Sequence, residues 1–291
     1  MPTVDVNGAT LEYVETGAGD PVVLIHGGFS DHRIWAPQRD ALGRHYRAIT
    51  YSRRYHWPNA PITPNADYAM AEQVDDLRAL LTALGAAPAH LIGNSYGANM
   101  ALLLALQEPG LVRSLVLAEA NAAPLLVSVP PKPLEFLRLF FTHPLTAAMF
   151  IKVFGTGFRR VIAAFERDDL EEGQRLFGLL ALGPYGVERL TEARQAQWND
   201  NVFKEQFTNS DSPPLNPDHV RQITIPTLLL SGKQSPLILR LLTDRLHEHM
   251  PRADRVDIPD ASHDMHVDNP SAVTDAVLAF LARHSSSPSA A

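Results

Sequence analysis

Short apolar runs recur along this chain, and stretches of helical spacing separate most of them, an alternation that leaves few folds open. The runs are "PVVLIHG" (21–27), "RAITYS" (47–52), "AHLIGNS" (89–95), "VRSLVLAEAN" (112–121), "IPTLLLSG" (225–232) and "ADRVDIPD" (253–260). A continuous apolar run of this length, rich in β-branched residues, is how a strand reads when both faces of its sheet are covered. Between the runs, residues 32–43 suit a short helix. "MAEQVDDLRALLTALG" carries Val74, Leu77, Leu80, Leu81 and Leu84 at helical spacing, with Gly85 as its stop. "YGANMALLLALQEPG" is apolar almost all round, hence a buried helix, and two further helices are expected in "LILRLLTDRLHEHMP" and "PSAVTDAVLAFLARH". Strand–helix alternation implies an α/β class with a mostly parallel, doubly wound sheet. Only "TVDVNGATLEYVET" reads as a hairpin, turning at Asn7-Gly8.

The rhythm fails over residues 122–221, where some five helical patterns follow one another without a strand. That block is expected to be an all-helical cap inserted into a core made of residues 1–121 and 222–284, with 285–291 a disordered, low-complexity tail. Its most apolar stretch, "PLEFLRLFFTHPLTAAMFIKVFG", is interrupted by Glu135, Arg138, His143, Pro144 and Lys152. It therefore reads as two short amphipathic helices, not a bilayer span. A net charge of −7 offers nucleic acid nothing to bind. There is no cysteine, which excludes disulfides, Cys-ligated metals and a thiol nucleophile. The N-terminus lacks a basic region followed by an apolar one, so no signal peptide is expected. A cytoplasmic protein with neither membrane nor nucleic-acid partner is the reading that follows, its oligomeric state open.

Three segments carry chemistry. "GNSYG" (93–97) sets Ser95 in a Gly-x-Ser-x-Gly frame between a strand and a helix, where a sharp turn would lift its hydroxyl clear of the backbone. Gly93 and Gly97 are needed because a Cβ there would strike the adjoining elements. The helix that follows aims its first N–H groups at the same spot, favouring negative charge. "LIHGGFS" (24–30) follows a buried strand and can present the N–H of Gly28; with that of Tyr96 it would form a two-donor oxyanion hole. "IPDASHDMHVDNP" (258–270) holds two candidate bases, His263 and His266.

Taken together these residues resemble the α/β-hydrolase superfamily. "HGG", "GNSYGA" and "SHDMHVDNP" match its oxyanion, nucleophile and histidine loops; "YSRRYH" stands where many members have an Asp-x-Arg-Gly turn, though with Tyr51 and Arg54 at its first and last positions. The resemblance covers about 11–121 and 222–284 and implies His263 as the catalytic base, with His266 supporting. It also exposes a departure. The usual triad acid lies in a Gly-x-x-Asp-Pro frame after the strand that here reads "TLLLSG", and this chain has Gly232-Lys233-Gln234-Ser235-Pro236. A serine can orient an imidazole but cannot balance its charge.

Glu119 is the foremost substitute. It ends the strand after the nucleophile helix, at the edge where such sheets gather their active loops, and a carboxylate after "SLVLA" needs a reason to be there. Some haloalkane dehalogenases and the zearalenone lactonases place their acid after this strand. A competing reading pairs Glu119 with an arginine such as Arg53, and Asp257, Asp260 and Asp264 also lie near His263 in sequence. The resemblance implies a cofactor-free Ser95–His263–Glu119 hydrolase for a small or medium hydrophobic ester or lactone. Carbon–carbon bond hydrolysis, lyase or perhydrolase activity, and a non-catalytic ligand-binding protein are the alternatives. Phe29, Trp35, Arg53, Phe140, Trp198 and His266 are the candidate pocket residues.

Overall fold

The apolar runs become one eight-stranded sheet in the computed structural model, which describes residues 1–63, 66, 68–128, 132–208 and 215–285. The strands are β1 (Thr3–Val6), β2 (Ala9–Thr16), β3 (Pro21–Ile25), β4 (Arg47–Tyr51), β5 (Ala89–Asn94), β6 (Val112–Ala118), β7 (Thr227–Gly232) and β8 (Asp254–Ile258). Their order is β1-β2-β4-β3-β5-β6-β7-β8. The β1–β2 and β2–β4 pairs are antiparallel and the rest parallel. The β1–β2 hairpin turns at Asn7 and Gly8, both at positive φ as a two-residue turn requires.

The helices outside the 122–221 block are α1 (Ala36–Leu42), α2 (Met70–Ala83), α3 (Tyr96–Gln107), α12 (Leu237–His249), α13 (Met265–Asp268) and α14 (Pro270–Leu281). The segment expected as one helix over 32–43 opens as a 3-10 turn, His32–Trp35, because the Asp31 side chain accepts the Arg33 N–H there. Successive residues of β3 alternate between two cores. Val23 and Ile25 join a cluster with Leu77, Leu81, Met100 and Leu104 of α2 and α3, while Val22 and Leu24 join one with Leu42, Val277 and Phe280 of α1 and α14. Each such buried side chain is worth about 1.5–3 kcal/mol, so covering both faces is what holds the parallel strands.

Between β6 and β7 every described element is helical. These are α4 (Pro133–Thr142), α5 (Pro144–Phe150), α6 (Phe158–Glu166), α7 (Leu170–Ala181), α8 (Gly183–Glu188), α9 (Glu192–Asn201), α10 (Glu205–Thr208) and α11 (Pro217–Arg221), with a π-helical turn at Ile151–Gly157. The sequence suggests about five; the pieces are shorter and more numerous because Pro144, Gly183 and Pro217 begin new helices. No helix among the described residues is long and apolar enough to cross a membrane. All of the expected tail but Ser285 lies outside the described residues.

Register decides where the active loops emerge. Ile25 pairs with Gly93, Asn94 with Ala118, and Ala118 with Leu230. The chain thus leaves β3, β5, β6 and β7 side by side at one edge, carrying His26–Phe29, Ser95, Glu119 and Ser231–Gly232.

Candidate active site

Ser95 joins β5 to α3 at φ 52° and ψ −114°, a backbone conformation that costs a non-glycine residue about 1–3 kcal/mol. Neighbours hold it there: its N–H donates to Ala118 O (2.9 Å) and its carbonyl accepts from Asn99 N (3.1 Å). A Cβ on Gly93 would lie 2.4 Å from Gly97 O, and one on Gly97 2.3 Å from Ile25 O, so neither position admits a side chain. Phe29 and Glu119 share the strain, at φ 46° and 47°. Non-glycine residues at positive φ thus sit in three adjacent loops of one sheet edge.

Glu119 follows β6, its N–H donating to Leu230 O (3.1 Å), and is buried. Both carboxylate oxygens are engaged. Oε1 accepts from Ser231 Oγ and from Gly232 N, each at 3.0 Å. Oε2 lies 2.6 Å from Nδ1 of His263, in the loop between β8 and α13. The contact fixes the ring: Nδ1 donates to the carboxylate, leaving Nε2 to accept a proton. Burial alone would lower the His263 pKa. The hydrogen bond and charge of Glu119 outweigh it and hold that pKa above the ordinary value; Asp264 adds to the rise and Arg194 opposes it. Asn94, next to the serine, donates its side-chain amide to His263 O (3.1 Å), tying the nucleophile turn to the histidine loop.

The glycine loop stands beside the serine, since a Cβ on Gly27 would come within 3.3 Å of Ser95 Cβ. His26 accepts the Arg53 N–H at Nε2 (2.9 Å), so its Nδ1 carries the proton and donates to Gly27 O (2.9 Å). The Arg53 guanidinium also donates to Gly27 O (2.9 Å). Gly27 O belongs to the same peptide as the Gly28 N–H, so two donors, one of them charged, polarise that N–H toward whatever it faces. Burial, then the Arg53 charge, pushes the His26 pKa well below its usual value and keeps the ring neutral. Arg53 reaches Tyr68 Oη (2.7 Å) and Gln73 Oε1 (3.2 Å), and its charged carbon stands 4.5 Å from the centre of the Tyr96 ring. It makes no bond to Glu119. It underlies the glycine loop and does not compete for the acid.

Of the other carboxylates near His263, Asp264 pairs with Arg194 (2.9 Å), Asp257 with Arg255 at the surface, and Asp260 is exposed on its loop. Ser235 is buried, and its hydroxyl has no hydrogen-bond partner among the described residues.

The candidate pocket residues divide. Phe29 and Trp198 are buried in one aromatic cluster with Phe165, Phe177 and Phe207, which seats the helical block on the glycine loop. Trp35 is not at the site: it packs in the core beneath α14, stacked on His266 with ring centres 4.2 Å apart. His266 is buried in that stack, and burial pushes its pKa down to about 4. It is a packed ring with no hydrogen-bond partner at either nitrogen among the described residues. Phe140 faces outward, 52% exposed on α4, because Leu139 takes the inward position.

One residue had no signal in the sequence. Arg194, on α9, donates from one buried guanidinium to Phe29 O, to Gln197 and to Asp264, each at 2.9 Å. It therefore joins the glycine loop and the histidine loop through the helical block. Gln197 and Asn201 of the same helix bond the buried Asp31 carboxylate. A cavity of about 340 Å³ opens behind the histidine loop, between Arg194, Gln197, His266 and Val267; Ser95 does not line it.

Known proteins resemble this chain in sequence and in fold. The family described as alpha/beta hydrolase fold matches residues 20–270. RutD of Pantoea ananatis, a candidate carbamate hydrolase, is 27% identical over 276 residues, 93% of this chain and 91% of its own. The mouse sn-1-specific diacylglycerol lipase ABHD11 is 29% identical over 90% of this chain and 80% of its own. A thermophilic esterase from Thermogutta terrifontis superposes with a TM-score of 0.76 at 22% identity, over 98% of this chain and all of that one, a likeness of fold.

Proposed function

This chain belongs to the α/β-hydrolase fold family, and on that premise we propose that it cleaves a carboxylic ester or lactone of a small or medium hydrophobic substrate through a Ser95-bound acyl intermediate. The observation that carries the reading is the buried 2.6 Å contact between Glu119 and His263 Nδ1. It offers a carboxylate where Ser235 has none, which supports the catalytic reading over the non-catalytic one. The diacylglycerol lipase among the relatives, an ester hydrolase by name, supports the substrate class.

In this mechanism Ser95 Oγ attacks the acyl carbonyl while His263 Nε2 takes its proton. Charge gathers on the carbonyl oxygen, which accepts from the Gly28 and Tyr96 amides; each such donor is worth about 3 kcal/mol in the transition state. The imidazolium, balanced by Glu119, returns the proton to the leaving alkoxide as the C–O bond breaks. Water then attacks the acyl ester, gives its proton to His263, and releases the acid with Ser95 restored. The aromatic cluster around Phe29 and Trp198 lends an apolar surround. It suits a hydrophobic acyl or alcohol group.

The test is hydrolysis of p-nitrophenyl butyrate together with labelling by a fluorophosphonate. Ser95→Ala should abolish both. Turnover surviving in that variant, or a wild type that neither hydrolyses the ester nor takes the label, would sink the proposal.

A further inference from the structure

Apolar side chains in water are concentrated in one place on this protein. Of the twelve large hydrophobic residues exposed among the described residues, six lie between Leu134 and Ile151. On α4, Leu134 (76%), Leu137 (52%) and Phe141 (75%) follow the i, i+3, i+7 spacing of a single stripe, and Phe140 flanks it; Leu145 of α5 and Ile151 continue the surface. A Phe side chain carries on the order of 150–250 Å². These fractions therefore leave several hundred Å² of clustered apolar surface, the upper end of what monomers expose. α4 does have a buried seam, since Leu139 packs with Val127 and Ala147 and Phe136 lies against them. It is a helix with a second apolar face turned outward.

The charge around that face is as uneven as the hydrophobicity. Residues 132–160 hold five cations (Lys132, Arg138, Lys152, Arg159 and Arg160) against one carboxylate, in a chain of net charge −7. That carboxylate, Glu135, accepts the backbone N–H of Ser128 at 2.8 Å. Lys132, Arg138 and Lys152 are exposed and form no ion pair among the described residues. Arg138, one turn after Leu134, borders the apolar stripe. A two-fold copy of the chain on this face would bring these cations against their own equivalents, which like charges disfavour. An anionic lipid surface meets both demands: acyl chains for Leu and Phe, headgroups for Lys and Arg.

We propose that the α4–α5 face, Leu134 to Ile151, docks peripherally on anionic lipid. The charge of the whole chain, which points away from a membrane, averages over this basic and apolar corner. The proposal is independent of the esterase reading, since none of its residues belongs to the Ser95 site.

The experiment is flotation of the full chain with vesicles of phosphatidylcholine alone or mixed with phosphatidylglycerol. Binding to the mixed vesicles is expected to exceed that to the neutral ones by about tenfold or more, and to fall as salt rises from about 0.1 to 0.5 M and shortens the reach of the rim charges. Leu137→Ser/Phe141→Ser and Lys132→Glu/Arg138→Glu should each abolish binding, with the cooperative thermal melt of the wild type retained as proof that the variants fold. Equal binding to both vesicles, binding that survives either pair, or no binding would overturn the proposal. So would a wild type that sediments as a dimer, floats with neither vesicle and becomes monomeric in Leu137→Ser/Phe141→Ser, because a second copy would then own the face.

Discussion

Glu119→Gln changes one atom of the side chain and is the sharpest probe of the acid. In the native site Oε1 takes two hydrogen bonds, from Ser231 Oγ and Gly232 N, and Oε2 faces His263 Nδ1. The glutamine amide has one oxygen to offer. If it keeps the two donors on β7 satisfied, its NH₂ group faces Nδ1, which must then accept and carry no proton. The ring proton moves to Nε2, where it points at the serine that needs a base. Turning the amide over restores the tautomer but sets NH₂ against two donors in a buried site, at a cost of about 1–3 kcal/mol for each group left unpaired. Either way the neutral side chain leaves the imidazolium of the transition state unbalanced. Loss of a triad carboxylate by such a change typically lowers kcat about ten-thousand-fold, which corresponds to about 5.5 kcal/mol of barrier. Steady-state hydrolysis of p-nitrophenyl butyrate by wild type, Glu119→Gln and Ser235→Ala measures it, with thermal melts to show that each variant is folded. Ser235→Ala should stay within about threefold of wild type, since its hydroxyl bonds nothing among the described residues. Glu119→Gln retaining a tenth of the activity while Ser235→Ala loses it would refute the assignment.

The raised His263 pKa gives kcat/KM an acid limb with its midpoint above about 6.5, because the protonated ring cannot accept from Ser95. The same shift stabilises the fold fully below about 6.5, and the contribution disappears as pH rises through the raised value. A pH–rate profile checks the limb. His266→Leu should leave that limb in place, since burial already keeps its ring neutral down to about 4. Gly97→Ala drives a Cβ to 2.3 Å from Ile25 O, and at such overpacked positions the loss is about 1–3 kcal/mol or more, whereas Gly110→Ala meets nothing within 4 Å and should hardly move the melting temperature. Arg194→Met strands the buried Asp264 carboxylate, with an expected loss of about 3–5 kcal/mol in denaturant unfolding. It should lower kcat more than it raises KM, because the loops it joins carry the proposed base and the proposed oxyanion donor.

The parallel sheet was legible because burial on both faces leaves an unmistakable mark on a strand: Val22, Val23, Leu24 and Ile25 all had to be apolar to serve two cores. The tight turn at Ser95 was legible for a similar reason, since Gly93 and Gly97 sit where backbone touches backbone. Glu119 stood out as a charge in an apolar strand. Contacts made by long polar side chains across the fold leave no such mark. Arg194 reads as an ordinary helix-surface arginine, and nothing local to it announces that its guanidinium ends between Phe29 O and Asp264. Trp35, Phe140 and His266 fail for a related reason. An aromatic near a motif in sequence still has two faces of its element to choose from, and only packing decides, as when Leu139 takes the inward place on α4 and leaves Phe140 outside.

Placing the proposed acid after β6 does not make β7 idle. Ala118 pairs with Leu230, so the residue after β6 lies beside the last residues of β7, and Ser231 and Gly232 are the donors in reach of a carboxylate there. Two donors on β7, Ser231 Oγ and Gly232 N, supply the hydrogen bonds that hold the Glu119 carboxylate. A glutamate is long enough to take those two donors with one oxygen and still reach His263 with the other; an aspartate from the same Cα, shorter by one methylene, would have to give up one of the two. The left-handed backbone of Glu119, at φ 47°, follows from the same demand, since the chain must bend at the end of β6 to aim the side chain toward β7 and the histidine loop. Glu119→Asp should therefore keep the charge yet lose most of the rate. A variant with wild-type kcat would mean that reach across β7 is not what selects the longer acid.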